Sequence, residues 1–213
     1  MDKSIESIWK DGFLNNDALV APKVNNIYNL KSIHIIAKFN RMFRRNLVLI
    51  IIGSILFLIY SIFADAIILG IGTFIISNAI VIVNYKLMKT LKKIDKNVSS
   101  YNYLKAFDKW IKYQLKVNRK MAKIYYPLFF ITVILGIWFS GEFQLIISEI
   151  LGNPHQIYLV NGFPVIWISV ILLISSLLAI FGDNIYNFDV NLIYGRVFKK
   201  LNEIIADIEE LRK

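Results

Sequence analysis

Cysteine is absent from the 213 residues, histidine occurs twice and proline four times. Without a thiol there is no disulfide framework, no thiolate metal site and no cysteine nucleophile. His34 and His155 are predicted on opposite sides of a membrane, and neither sits four residues from another ligand, so no histidine metal site is expected. Gly53, Gly70 and Gly72 lie inside apolar runs and not after a strand, which excludes a phosphate-cradling loop. No nucleophile and base can be named on one side, so the chain reads as a non-enzyme with no cofactor. Nor does any Lys, Arg, Asp or Glu fall mid-way along an apolar run, and that counts against an ion pump or carrier.

What remains is grease and positive charge. Hydrophobic residues make up 56% of the chain and the mean hydropathy is +0.54. They are bunched into windows near the roughly 20 residues needed to cross a bilayer: Leu47 to Phe63, Ala66 to Val83, Tyr125 to about Ile147, and Phe163 to Phe181. These runs are continuous and rich in Leu and Ile, not alternating, which disfavours a closed barrel. The predicted fold is all-α, a polytopic helical membrane protein with four transmembrane helices in two hairpins and with cytoplasmic amphipathic helices.

The net charge is +10, and its placement sets the orientation. Of 25 Lys and Arg, eight precede the first window, twelve lie between windows two and three, and five follow the fourth. The two outer connections hold none, carrying Asp65, Glu142 and Glu149 instead. Lys and Arg near span ends stay in the cytoplasm. Both termini and the central block are therefore expected inside, in a bacterial inner (plasma) membrane. Met1 to Asn46 is too polar for a cleavable signal peptide, so the first span should insert uncleaved.

This divides the chain into a cytoplasmic N-terminal segment (1–45), a first hairpin (46–84), a basic loop (85–124), a second hairpin (125–183) with its outer loop at about 141–162, and a cytoplasmic C-terminal helix (184–213). Asp2 to Lys10 is expected to form a short helix. From Val24, Ile27, Tyr28, Ile35, Phe39 and Met42 recur at helical spacing, giving a helix that lies either on the inner leaflet or on its cytoplasmic neighbours. Ser99 or Ser100 offers an N-cap after the turn at 97–102. Pro127 is expected to kink or restart the third helix. Asn161-Gly162 signals a turn. Val197, Leu201, Ile204, Ile208 and Leu211 form a short heptad stripe that could dock on the basic block or on its own copy in a homo-oligomer.

Two sets of residues stand out as sites. Ala66, Gly70, Thr73 and Ser77 place small residues on one face of span two, with Ser175, Ala179 and Gly182 as a matching stripe on span four; in lipid such residues let backbones approach. Asn78, inside the second run, suits an interhelical hydrogen bond. In the basic block Lys105, Lys109 and Lys112 alternate with Phe107 and Trp110, offering a contact for a partner or for anionic lipid, worth about 1 kcal/mol per cation near the surface. Interleaved aromatics and lysines also occur in single-strand binders, but helical spacing makes them a packing face, so nucleic acid is disfavoured. Glu142, Glu149 and His155 are the polar cluster of the outer face, read as a solvated loop. Lys38, Asn40 and Arg41 before span one echo Lys116, Asn118 and Arg119 before span three, too few matches for a repeat.

Trp9-Lys10-Asp11-Gly12-Phe13-Leu14, Asp17-Ala18-Leu19-Val20, Pro22-Lys23, Ile94-Asp95-Lys96-Asn97, Ser99-Ser100-Tyr101 and Leu104-Lys105-Ala106-Phe107-Asp108 resemble segments of small, uncharacterised bacterial four-span membrane proteins associated with extracytoplasmic-function sigma factors. The resemblance covers most of the cytoplasmic sequence. It implies an anti-sigma-like regulator and transfers no functional residue. The expected function is therefore an inner-membrane protein that tethers or regulates a cytoplasmic protein partner. The alternative is a small oligomeric channel or transporter built around span two.

Overall fold

The computed structural model describes residues 22–95, 98–141, 144–145, 148, 159–160 and 163–210, with helix side chains from Leu30 onward. Four helices carry the fold: α1 (Pro22–Phe63), α2 (Ile67–Leu91), α3 (Ser100–Trp138) and α4 (Val165–Glu210). All four are long and apolar enough to cross a membrane. A two-residue strand β1 (Leu159–Val160) pairs antiparallel with β2 (Phe163–Pro164), Val160 opposite Phe163, just before α4. The expected fourth span thus starts as a helix at Val165, two residues later than its hydropathy window. The short N-terminal helix and the Glu142, Glu149 and His155 cluster lie outside the described residues.

Contacts fix the helix order. Ser61 meets Gly70 and Ser54 meets Asn78 between α1 and α2. Leu69 meets Gly136 and Asn84 meets Asn118 between α2 and α3. Ala122 meets Gly182 and Tyr101 meets Glu209 between α3 and α4. Asn46 meets Tyr194 between α1 and α4. In each of the first three pairs one number rises as the other falls, so those neighbours are antiparallel, and the Asn46–Tyr194 contact brings α4 back beside α1 to close an up-down-up-down bundle.

The sequence predicts amphipathic helices separate from the spans; the structure runs them together. At about 1.5 Å per residue, the 46 residues of α4 reach about 69 Å and the 39 of α3 about 58 Å. A hydrocarbon core is about 30 Å. Each helix therefore continues well past the apolar zone without a break, because its inward-facing periodicity does not change where its outward-facing residues turn polar. Pro127 does not interrupt α3. Its ring removes the donor to the Lys123 carbonyl, one turn back, where α3 packs against Gly182: a Cβ on that glycine would come within 3.0 Å of the Ala122 and Lys123 backbone.

The two halves of the bundle are packed by opposite rules. In the apolar half Ile52, Leu56, Ile59, Ile75, Leu172 and Leu173 point outward and are exposed. Helices there touch through small residues, as expected where lipid removes the hydrophobic drive to associate. In the charged half the large side chains turn inward. Ile35, Phe39, Phe43, Phe107, Trp110, Val197, Leu201 and Ile204 are buried in one cluster, around which the lysines lie outside. This is the inside-out sense of a water-soluble bundle.

At the opposite end, α1 stops because Asp65 turns left-handed, with φ of 48°, a conformation aspartate tolerates. Its carboxylate accepts the Gly141 N–H at 3.1 Å and ties the α1–α2 turn to the end of α3. Ser99 caps the start of α3, accepting from the Asn102 N–H.

Candidate functional site

Two features of the charged half are candidates: its outer surface and a cavity at its border with the apolar half. On the surface, Lys105, Lys109 and Lys112 are exposed on α3. Lys105 donates to the Tyr101 hydroxyl and lies 3.6 Å from Glu209. The Tyr101 bond, with Glu209 adding, pushes the pKa of Lys105 up from its ordinary value, so it remains a cation. Lys112 pairs with Asp108, one turn earlier, at 2.6 Å.

Phe107 and Trp110 do not share that surface. Phe107 is 0% exposed and stacks on Trp110, whose ring N–H donates to the Thr90 hydroxyl on α2 at 2.9 Å. The aromatic pair therefore holds α3 to α1 and α2, and only the three lysines of that set face solvent. The reason is periodicity: residues 104, 107, 111, 114 and 118 form one stripe, and the lysines fall between its members. The heptad stripe of α4 from Val197 to Ile208 is likewise buried, docked inside this bundle; Leu211 lies outside the described residues. The amphipathic segment before span one packs its Ile35, Phe39 and Phe43 into the same core instead of onto lipid.

The small-residue stripes are each turned to a different neighbour. Gly70 faces α1, where an added Cβ would sit 1.7 Å from the Ser61 hydroxyl; Gly182 faces α3. The stripes of spans two and four therefore do not meet at these glycines. Ser77 is buried, Thr73 and Ala179 are half-buried, Ala66 is the N-cap of α2 with no side-chain bond, and Ser175 has a buried, unpartnered hydroxyl oxygen. Asn78 donates to the Phe74 carbonyl at 2.8 Å and to the Ser54 hydroxyl at 3.4 Å.

α2 and α3 also pack closely at two glycines not placed on either small-residue stripe, Gly72 and Gly136. A Cβ on Gly136 would lie 2.3 Å from the Leu69 Cβ, and one on Gly72 would lie 2.3 Å from Thr132. Isolated glycines within apolar helices were the available signal, since each costs helix stability unless close packing needs it.

Just inside the border, three carboxamides form a buried network. Asn84 and Asn118 bond each other reciprocally at 2.9 and 3.0 Å, and Gln114 donates to Asn84 Oδ1 at 3.2 Å. Beside it Asn46 donates to the Tyr194 hydroxyl, Tyr126 donates to Asp189, Arg119 donates to Asn187 at 2.7 Å, and Lys123 pairs with Asp183 at 3.3 Å. Burial raises the pKa of the Tyr186 and Tyr194 hydroxyls, keeping both neutral. Asn46, Asn84, Gln114, Asn118, Tyr126, Tyr186, Asp189 and Tyr194 line a cavity of about 350 Å³ reached by side chains from all four helices. The clue in the sequence was that Gln114 and Asn118 interrupt an otherwise apolar stripe.

Among the described residues no group of three or more His, Asp or Glu could hold a metal ion. No family model, curated protein or solved structure matches the chain.

Proposed function

We propose that the chain is a multi-pass protein of a bacterial inner membrane, with both termini and the charged half of the bundle in the cytoplasm, where it tethers or regulates a protein partner. The distribution of Lys and Arg supports the orientation. The reading rests on one observation: the charged half has a packed core of its own. Anchoring alone does not need one. A cluster uniting Phe39, Phe107, Trp110, Tyr194 and Leu201 gives instead a stiff platform whose outer face carries Lys105, Lys109 and Lys112. Such a face suits an acidic protein surface, and the resemblance of the cytoplasmic segments fits an anti-sigma-like regulator.

The test is recovery of a partner with tagged full-length protein from detergent, compared with Lys105→Ala/Lys109→Ala/Lys112→Ala. A specific protein retained by the natural sequence and lost by the triple variant is expected. No specific partner across several growth conditions, or the same partner on both, would remove the reading.

The small-residue face of span two, with its polar Ser77 and Asn78 inside an apolar helix, supports a second reading, a small oligomeric channel or transporter. It predicts flux in reconstituted vesicles that changes in Asn78→Leu or Ser77→Leu; unaltered permeability would eliminate it.

A further inference from the structure

The wall of the 350 Å³ cavity has a composition unlike the surface around it. The chain carries a net charge of +10, yet no Lys or Arg lines the cavity, and its one charged residue is Asp189. Seven aromatic rings from α1, α3 and α4 contribute to the same wall, among them Tyr125, Tyr126, Tyr186 and Tyr194. The nearby cations are engaged elsewhere, Lys123 with Asp183 and Arg119 with Asn187. Asp189 accepts from the Tyr126 hydroxyl and makes no ion pair among the described residues.

A carboxylate beside aromatic faces, in a wall purged of positive charge, selects for a cation. Ring faces attract one with about 0.5–2 kcal/mol each as water is excluded. Asp189 and the negative ring faces would oppose an anion, and the Arg119 guanidinium, the positive group that acts on Tyr186, lies outside the lining. The volume falls at the lower end of the roughly 300–1,000 Å³ typical of small-molecule sites, large enough for an organic head group. Leu192 and Ile193 line the cavity and are also 77% and 45% exposed. The mouth is therefore apolar and opens where the outward-facing residues of α4 are still greasy.

We propose that this cavity binds an amphipathic organic monocation, its ammonium head between Asp189 and the tyrosine faces and its apolar tail leaving past Leu192 and Ile193. The site serves a sensor and a transporter equally, so it stands apart from either reading of function, and binding can be measured with no partner and no flux.

The probe is radiolabelled benzyltrimethylammonium, in equilibrium dialysis against the full chain in phosphatidylcholine nanodiscs, with empty discs subtracted. Saturable binding is expected, weakened at least tenfold in Asp189→Asn. Tyr186→Phe keeps the ring face and retains the affinity, whereas Tyr186→Leu loses several-fold. Neopentylbenzene, the same shape with carbon for nitrogen, does not compete. Absence of saturable binding, equal affinity in Asp189→Asn, or competition by the neutral analogue would overturn the proposal. Should Asp189→Asn fail to fold, equal affinities of the two Tyr186 variants would overturn it just as directly.

Discussion

Phe39 offers the sharpest perturbation of the charged half. Its ring is 1% exposed and lies within 5.3–6.1 Å of the rings of Phe43, Phe107, Trp110, Tyr194 and Phe198, so it joins rings of α1, α3 and α4 in a core to which α2 adds Val81 and Met88. Phe39→Ala removes the ring and leaves a void, a change that costs about 3–5 kcal/mol in a packed core. Every 1.4 kcal/mol is a factor of ten, so local opening should become roughly a hundred to a few thousand times more frequent. Hydrogen exchange in lipid nanodiscs reads this directly. Amides of residues 104–118 and 194–208 are expected to lose that much protection, while those of 52–60, 70–80 and 172–180 keep theirs, because helices in lipid do not depend on the Phe39 cluster. Phe39→Leu should give a much smaller loss. Uniform loosening along all four helices would refute the division into two independently packed halves, and so would no change in residues 104–118.

Three further outcomes follow from the packing. Gly136→Leu should lower the unfolding free energy in detergent by about 1–3 kcal/mol, since its side chain would collide with the Leu69 backbone, whereas Gly53→Ala, with nothing within 4 Å, should hold or raise it. Asn84→Leu strands Gln114 and Asn118 and should cost about 1–3 kcal/mol in the same assay; adding Asn118→Leu should cost less than a second independent loss, a difference a double-mutant cycle measures. The triple lysine variant should leave the unfolding midpoint unchanged, because Lys105, Lys109 and Lys112 are exposed and such pairs contribute little, so any loss of partner reflects the surface itself.

The parts legible in the sequence were those with a local cause. Hydropathy located the four apolar helices, the serine pair Ser99 and Ser100 the start of α3, and the spacing of Val197 to Ile208 a stripe that the structure buries. What escaped depended on partners distant in the chain. Helical spacing marked Phe107 and Trp110 as a packing face but left them open as a contact for a partner or lipid, and only the arrival of Phe39 and Thr90 from α1 and α2 shows what they pack on. The stripes on spans two and four read as mates because both are small, but composition does not say which neighbour a glycine faces. The cavity draws on all four helices, so no single stretch announces it, although carboxamides at 114 and 118 within an apolar stripe marked the place.

The orientation can be measured cleanly because the chain has no thiol of its own. Single variants Ala64→Cys, at the turn between α1 and α2, and Lys109→Cys, on the charged half, are treated in intact cells with a membrane-impermeant maleimide. Labelling at 64 with protection at 109 until the membrane is opened is the expected result; labelling at 109 in intact cells would contradict the placement of the charged bundle in the cytoplasm.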